Sequence, residues 1–264
     1  MNDIYRSFQS LIKNYEIHMH DDKSTSIHFI NGDRPLDETE RVLYFLLNYV
    51  NNKTTSPDVK VENFVLEEEK FNNFWNELEG VPSPSRTMSD MFWMNLPWQD
   101  MKKDLGEINI LDIGCGKGNY CKKLYDWSGE SLSSYEGMDQ HTAPNWKELV
   151  SWGVDKKINV AFSQIDIDMC INDLSTHIPK DTNFFMSQSS LEHIKNDLEV
   201  FKQLKKYMLK NKNNCIQIHL FPASASLDLY LLHGFRQYGN FALKKITDLF
   251  DDFCSIENVW RSFK

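Results

Sequence analysis

The 264-residue chain is 41% hydrophobic and 25% charged, the balance of a folded globular protein rather than a disordered one. Its net charge is −9 with Lys and Arg scattered throughout, which argues against nucleic acid as a partner, since that needs a concentrated basic surface. No apolar run reaches the length of a membrane span, and the opening MNDIYRSFQS has neither the basic start nor the apolar core of a secretory signal.

The first elements are helical. PLDETERVLYFLLNYVNN has Asp37 placed to cap, Glu40 three residues on, and Val42, Leu43, Leu46, Leu47 and Val50 at helical spacing. VLEEEKFNNFWNELEG is a second amphipathic stretch ending at Gly80, VPSPSR breaks the pattern, and MSDMFWMNLPWQDMKKDLG leads into a different unit. Residues 1–105 therefore read as a largely helical cap, and residues 106–264 as a core domain.

From Ile108 onward, short apolar runs alternate with helices. INILDI, SYEGMD, INVAFSQIDI, TNFFMS and NCIQIHL read as strands. NYCKKLYDW, TAPNWKELVSWG and NDLEVFKQLKKYMLKN read as helices, the second with Thr142 as cap and Pro144 in its first turn. Such alternation predicts an α/β fold, a doubly wound and mostly parallel sheet covered on both faces. Ligands bind such sheets beyond the C-terminal strand ends, at the point where strand order reverses.

The stretch LDIGCGKGN lies at one such end. Lys117 is followed by Gly118 rather than by Ser or Thr, so it is not a P-loop. Counting G-x-G-x-x-G from Gly114 places Asn119 at the third glycine, which disfavours a dinucleotide loop. The second strand ends in Asp139, 25 residues after Gly114, where a carboxylate can accept hydrogen bonds from ribose hydroxyls.

Taken together, ILDIGCGKGN, YEGMDQH, VAFSQID and FFMSQSSLEHIKND resemble the successive motifs of class I S-adenosylmethionine-dependent methyltransferases. The resemblance covers residues 108 to 220 and implies a Rossmann-like methyltransferase fold with S-adenosyl-L-methionine as cofactor and S-adenosyl-L-homocysteine as product. It implies that Asp112 helps hold the amino-acid end of the cofactor, and that Gly114, Cys115, Gly116 and Gly118 let the backbone approach it. By the same resemblance Asp139 binds the ribose, Gln140 and Ile167 lie by the adenine, Asp166 takes the adenine amino group, and Ser187 and Gln188 line the methionine side. A sulfonium cofactor carries no pyrophosphate, so a third dinucleotide glycine is not needed, and an acidic, aromatic-rich site suits its cation.

A hydroxyl acceptor needs a base, and His193 and His219 are the candidates. Trp93, Glu192, His233, Arg236 and Tyr238 are expected around the acceptor. Glu192, His193 and His219 resemble the Glu-x-x-Glu-His metal set of some O-methyltransferases, but Ser189 stands where the first glutamate belongs, so no metal is expected. HMHDD at His18–Asp22 reads as a polar loop. The five cysteines form no C-x-x-C pair, which points to reduced thiols in a cytoplasmic protein. HLFPASASLDLYLLHGFRQYGN loosely resembles a segment of bacterial methyltransferases associated with surface-polysaccharide biosynthesis. That implies a small-molecule acceptor, a sugar or phosphorylated metabolite methylated at oxygen. An N-methyltransferase, an NAD-type oxidoreductase and a non-catalytic cofactor-binding scaffold are the alternatives.

After FALKKITDLFDD only one strand pattern remains, in FCSIENVWRSF, where the family ordinarily ends with a sixth strand and an antiparallel seventh. Either the chain is a piece of a longer one or the N-terminal part supplies a substitute.

Overall fold

The computed structural model describes residues 39, 61–64, 68–77, 84–211, 214–222, 238–250 and 256–258. The predicted helix at 35–52 and the HMHDD stretch lie essentially outside them. Strand β1 (Val61–Asn63) is followed by helices α1 (Glu68–Glu77), α2 (Pro84–Met94) and α3 (Trp98–Leu105). The alternating part comprises β2 (Ile108–Ile113), α4 (Tyr120–Trp127), β3 (Leu132–Asp139), α5 (Trp146–Lys156), β4 (Asn159–Gln164), β5 (Phe184–Gln188), α6 (Asp197–Lys210) and β6 (Ile216–Leu220). Helix α7 (Asn240–Phe250) and strand β7 (Ile256–Asn258) close the series.

Five strands form one sheet in the order β4-β3-β2-β5-β6, every pairing parallel. This is the doubly wound, Rossmann-like α/β arrangement. All of INILDI except Asn109 is buried, as expected for a strand covered on both faces. Alternate residues feed opposite cores. Ile108, Ile110, Phe184 and Met186 pack with Trp93, Trp98, Tyr120 and Leu124 on one side. Leu111, Ile113 and Phe185 pack with Phe201, Leu204, Tyr238 and Ile246 on the other. Helices α2 and α3 thus lie directly on the sheet, and among the described residues no helix is long and apolar enough to cross a membrane.

Two local expectations differ. Helix α5 begins at Trp146 with Asn145 at its cap, so Thr142 and Pro144 precede it. Asn145 Nδ2 donates to Lys117 O at 2.5 Å and Trp146 Nε1 to Gly116 O at 2.9 Å, so contacts to the glycine loop set the start of the helix. The strand in FCSIENVWRSF does not join the main sheet. It pairs in parallel with β1 in a separate two-stranded sheet, so its partner comes from the N-terminal part and adds no strand to the main sheet. Phe64, just after β1, meets Phe92 of α2 edge-on at 5.3 Å.

The strand order reverses between β2 and β5, so the crevice opens beyond Ile113 and Gln188. Ser190 Oγ donates to Ile113 O at 2.6 Å, which ties the two strand ends together at that point.

Candidate cofactor site

Gly114, Gly116 and Gly118 all have left-handed backbones, with φ of 73°, 55° and 71°, a region glycine enters without steric cost. Their surroundings differ. A Cβ on Gly114 would lie 2.4 Å from the Cβ of Ser190, and one on Gly118 would lie 2.8 Å from Leu149 and Phe162. A Cβ on Gly116 would meet nothing within 4 Å. Two of the glycines therefore serve packing, and the middle one faces open space.

The loop's own N–H groups are largely spent. Gly114 N and Cys115 N donate to Met138 O at 2.8 and 3.1 Å, and Gly118 N donates to Cys115 O at 2.9 Å. Gly116 N donates to Asp139 Oδ2 at 2.8 Å, while the other oxygen of Asp139 accepts from His141 N at 2.9 Å. With Gly116 O held by Trp146, both backbone groups of the open glycine are fixed. Trp146 is itself held, its ring stacked on Phe162 at 4.9 Å and 11°. Each Asp139 oxygen keeps acceptor capacity for a further donor.

Asp112 lies beneath this loop, 2% exposed. Its Oδ2 accepts from the Tyr135 hydroxyl at 2.6 Å, and its Oδ1, fully buried, has no hydrogen-bond partner among the described residues. Burial pushes its carboxyl up to about 7; the Tyr135 bond pulls down against that, and Asp139 adds to the rise. Burial and the nearby carboxylates push the Cys115 thiol well above its ordinary value, which keeps it protonated.

On the expected adenine side, Gln140 and Asp166 are both exposed. Gln140 O accepts from Gln164 Nε2 at 3.1 Å, and Asp166 Oδ1 accepts from Met169 N at 3.3 Å. Ile167 instead points into the core, 6% exposed among Ile171, Leu174 and Met138.

On the expected methionine side, Ser187 is fully buried with its Oγ 2.9 Å from His219 Nδ1. Gln188 Oε1 accepts from Trp93 Nε1 at 2.8 Å, and its Nε2 donates to Ser89 Oγ at 3.1 Å and Ser189 Oγ at 3.2 Å. Trp93, expected at the acceptor, has no exposed surface. It is a core residue whose indole N–H ties α2 to the end of β5. Glu192 is likewise fully buried, and burial raises its carboxyl to about 7. His193 stands exposed beside it, Nε2 4.0 Å from Glu192 Oε1.

His219 reaches Gln217 Oε1 with its Nε2 at 3.3 Å and meets the Phe201 ring edge-on at 5.1 Å. Burial lowers it to about 3, so its ring is neutral at physiological pH and weakly basic. Tyr238 is 1% exposed, with its hydroxyl on Asp197 Oδ2 at 2.6 Å and its ring on Phe221. It therefore clasps α6 instead of facing an acceptor. His233 and Arg236 lie outside the described residues. Glu192, His193 and His219 do not bring their ligand atoms into one cluster among the described residues.

Sequence reasoning passed over Tyr135, Asn145, Trp146 and Ser190. Tyr135 sits four residues before Asp139 on the same strand, a spacing that places both on one face of it. The other three show no sequence signal, because their contacts join segments far apart in the chain.

No family model and no curated protein matches the chain. Among solved structures it is similar to the YcgJ protein from Bacillus subtilis, at 14% identity and a TM-score of 0.42 over 60% of this chain and 67% of that one. It is similar to the plantazolicin methyltransferase BpumL in complex with SAH, at 16% identity and a TM-score of 0.40 over 79% and 69% of the two chains. A SAM-dependent methyltransferase from Aquifex aeolicus follows at 15% identity and a TM-score of 0.35, over 69% and 87%. At these scores the functional reading rests on the chain's own residues.

Proposed function

We propose that the chain is an S-adenosylmethionine-dependent methyltransferase that modifies an oxygen of a small sugar-like or phosphorylated acceptor in surface-polysaccharide biosynthesis. The observation that carries the reading is the character of the loop at the switch point. A pyrophosphate cradle needs free N–H groups and positive potential. Here the N–H groups of Gly114, Cys115, Gly116 and Gly118 already have acceptors inside the protein, and Asp112 and Asp139 flank them. The open face of Gly116 and the unpartnered Oδ1 of Asp112 suit a ligand that is neutral or cationic where it meets the loop, as this cofactor is at its amino-acid end. They do not suit a dinucleotide.

When bound, the cofactor supplies a methyl group already activated on sulfonium sulfur. The protein's task is alignment, exclusion of water and removal of a proton. Asp112 takes the cationic end, Asp139 uses its remaining lone pairs for the ribose hydroxyls, and Gln140 and Asp166 stand on the adenine side. Ser187 and Gln188 border the methionine side, with Gln188 kept in place by Trp93 and Ser89. His193 is the base for the acceptor hydroxyl, exposed next to the buried Glu192. His219, neutral and held between Ser187 and Gln217, orients Ser187.

Thermal-shift titration tests the cofactor assignment. Stabilisation by S-adenosylhomocysteine and none by NAD is expected, and stabilisation by NAD alone would overturn it. Turnover of labelled cofactor across a panel of sugar-nucleotide and phosphometabolite acceptors tests the chemistry. His193→Ala should abolish most of that turnover with cofactor affinity unchanged, and full activity in that variant removes His193 as the base. Tight cofactor binding with no turnover on any acceptor would favour a scaffold.

A further inference from the structure

We propose that Cys170, Asp173 and His177 form a binding site for a divalent transition-metal ion of the zinc class. The site is independent of the cofactor reading and lies on the segment between β4 and β5.

That segment is a run of consecutive turns. Cys170 N donates to Asp166 O at 3.2 Å, Asp173 N to Cys170 O at 3.0 Å, Thr176 N to Asp173 O at 2.8 Å and His177 N to Leu174 O at 2.9 Å. Ile171, Leu174 and Ile178 are buried at 7%, 1% and 5% exposure and anchor the run in the core. Their spacing is three and then four. Cys170, Asp173 and His177 each precede one of these anchors by one residue, so they repeat that spacing on the outer face. The three donors are thus gathered by the core packing of their neighbours, and little ordering remains to be done when an ion arrives.

One ligand atom from each residue, a thiol sulfur, a carboxylate oxygen and an imidazole nitrogen, lies within 4.8 Å of the other two. His177 Nε2 is 3.9 Å from Asp173 Oδ2. Bonds of about 2.0–2.3 Å to a tetrahedral zinc ion put ligand atoms roughly 3.5 Å apart, so side-chain torsions close the remaining gap. Cys170 is half-buried and the other two are exposed, which leaves an entry path and a position for a water ligand. The donor set selects the ion. A sulfur and an imidazole beside one carboxylate suit zinc, cobalt, nickel or copper, whereas magnesium and calcium take oxygen shells. Coordination breaks the S–H bond of Cys170 and forms a metal–sulfur bond, with one proton released to solvent per ion bound.

Cobalt chloride titrated into the reduced full-length protein should produce a thiolate-to-cobalt charge-transfer band in the near ultraviolet, and equimolar zinc should bleach it. Cys170→Ser should lose the band while keeping the wild-type circular dichroism spectrum and melting profile. Asp173→Asn and His177→Ala should each weaken zinc binding by roughly tenfold or more, since even residues that only orient a metal ligand are worth that much. No band in the wild-type protein overturns the site. So does a band that survives Cys170→Ser, because the cobalt thiolate is then another cysteine, and so does unchanged zinc affinity in His177→Ala.

Discussion

Asp112→Asn separates electrostatics from shape at the heart of the site. The carboxyl rises from an ordinary 3.8 to about 7 in the folded protein. That gap of about three pH units corresponds to roughly 4 kcal/mol when fully expressed. The folded state holds its proton where the unfolded chain has lost it, so stability falls as pH rises from the unfolded value through the folded one. At about pH 5, roughly 1–2 kcal/mol of the penalty is felt, and at about pH 8 nearly all of it. Asparagine keeps an acceptor for the Tyr135 hydroxyl but buries an amide N–H₂ where Oδ1 had no partner, a cost of about 1–3 kcal/mol that does not vary with pH. The variant's stability relative to wild type should therefore improve by roughly 2–3 kcal/mol between about pH 5 and about pH 8. Urea denaturation followed by tryptophan fluorescence at the two pH values measures it. Affinity for S-adenosylhomocysteine should move the other way, falling about 10- to 100-fold with the loss of a charge-assisted hydrogen bond. A stability difference that is the same at both pH values would refute the buried carboxyl as the cause.

Gly118→Ala combines a left-handed backbone with a Cβ 2.8 Å from Phe162 and Leu149, so it should lower stability by about 2–4 kcal/mol in chemical denaturation. Gly116→Ala meets no neighbour and should cost only about 1–2 kcal/mol, yet abolish cofactor binding by calorimetry; normal binding would mean that the ligand does not use that face. Asp139→Ala frees the N–H groups of Gly116 and His141 and should lower both melting temperature and cofactor affinity. An effect on melting alone would leave the loop contact and remove the ribose contact. His219 is held at about 3, below its ordinary 6.5, so its contribution is complete above 6.5 and is lost as pH falls towards 3. His219→Gln should flatten the acid limb of the stability profile in that window, and an unchanged limb would show that other groups carry it.

Much of the candidate site is legible in the sequence because its residues lie at strand ends. Asp112, Asp139 and Asp166 each close or nearly close a strand pattern, and a parallel sheet delivers such residues to one edge. What the pattern could not say is which way a side chain turns after the strand ends. Asp166 and Ile167 lie beyond Gln164, the last residue of β4, in a turn that leaves Asp166 exposed and sends Ile167 into the core. Trp93 and Tyr238 show a second limit. Both are aromatics in segments expected near an acceptor, and both are core residues whose ring N–H or O–H is directed within the protein, to Gln188 and Asp197 respectively. Composition cannot separate an aromatic that lines a pocket from one that clasps two elements. The partner of the last strand was open for a related reason. β1 and β7 are three residues long, too short for periodicity, and pair across a long sequence separation, Val61 with Ile256.

The three glycines of LDIGCGKGN are equivalent as letters and distinct as physics. Gly114 exists because Ser190 closes the switch point against it, and Gly118 because Phe162 and Leu149 leave no room for a Cβ in the loop just ahead of α4. Neither needs a ligand to explain it. Gly116 has no such neighbour, although its peptide is pinned by Asp139 on one side and Trp146 on the other. A left-handed residue held at both polar groups, with its Cα face open, keeps a conformation that packing does not require. Close approach of a ligand to that face would account for a glycine there, and the carboxylate of Asp139 on its N–H sets the sign of charge that is welcome.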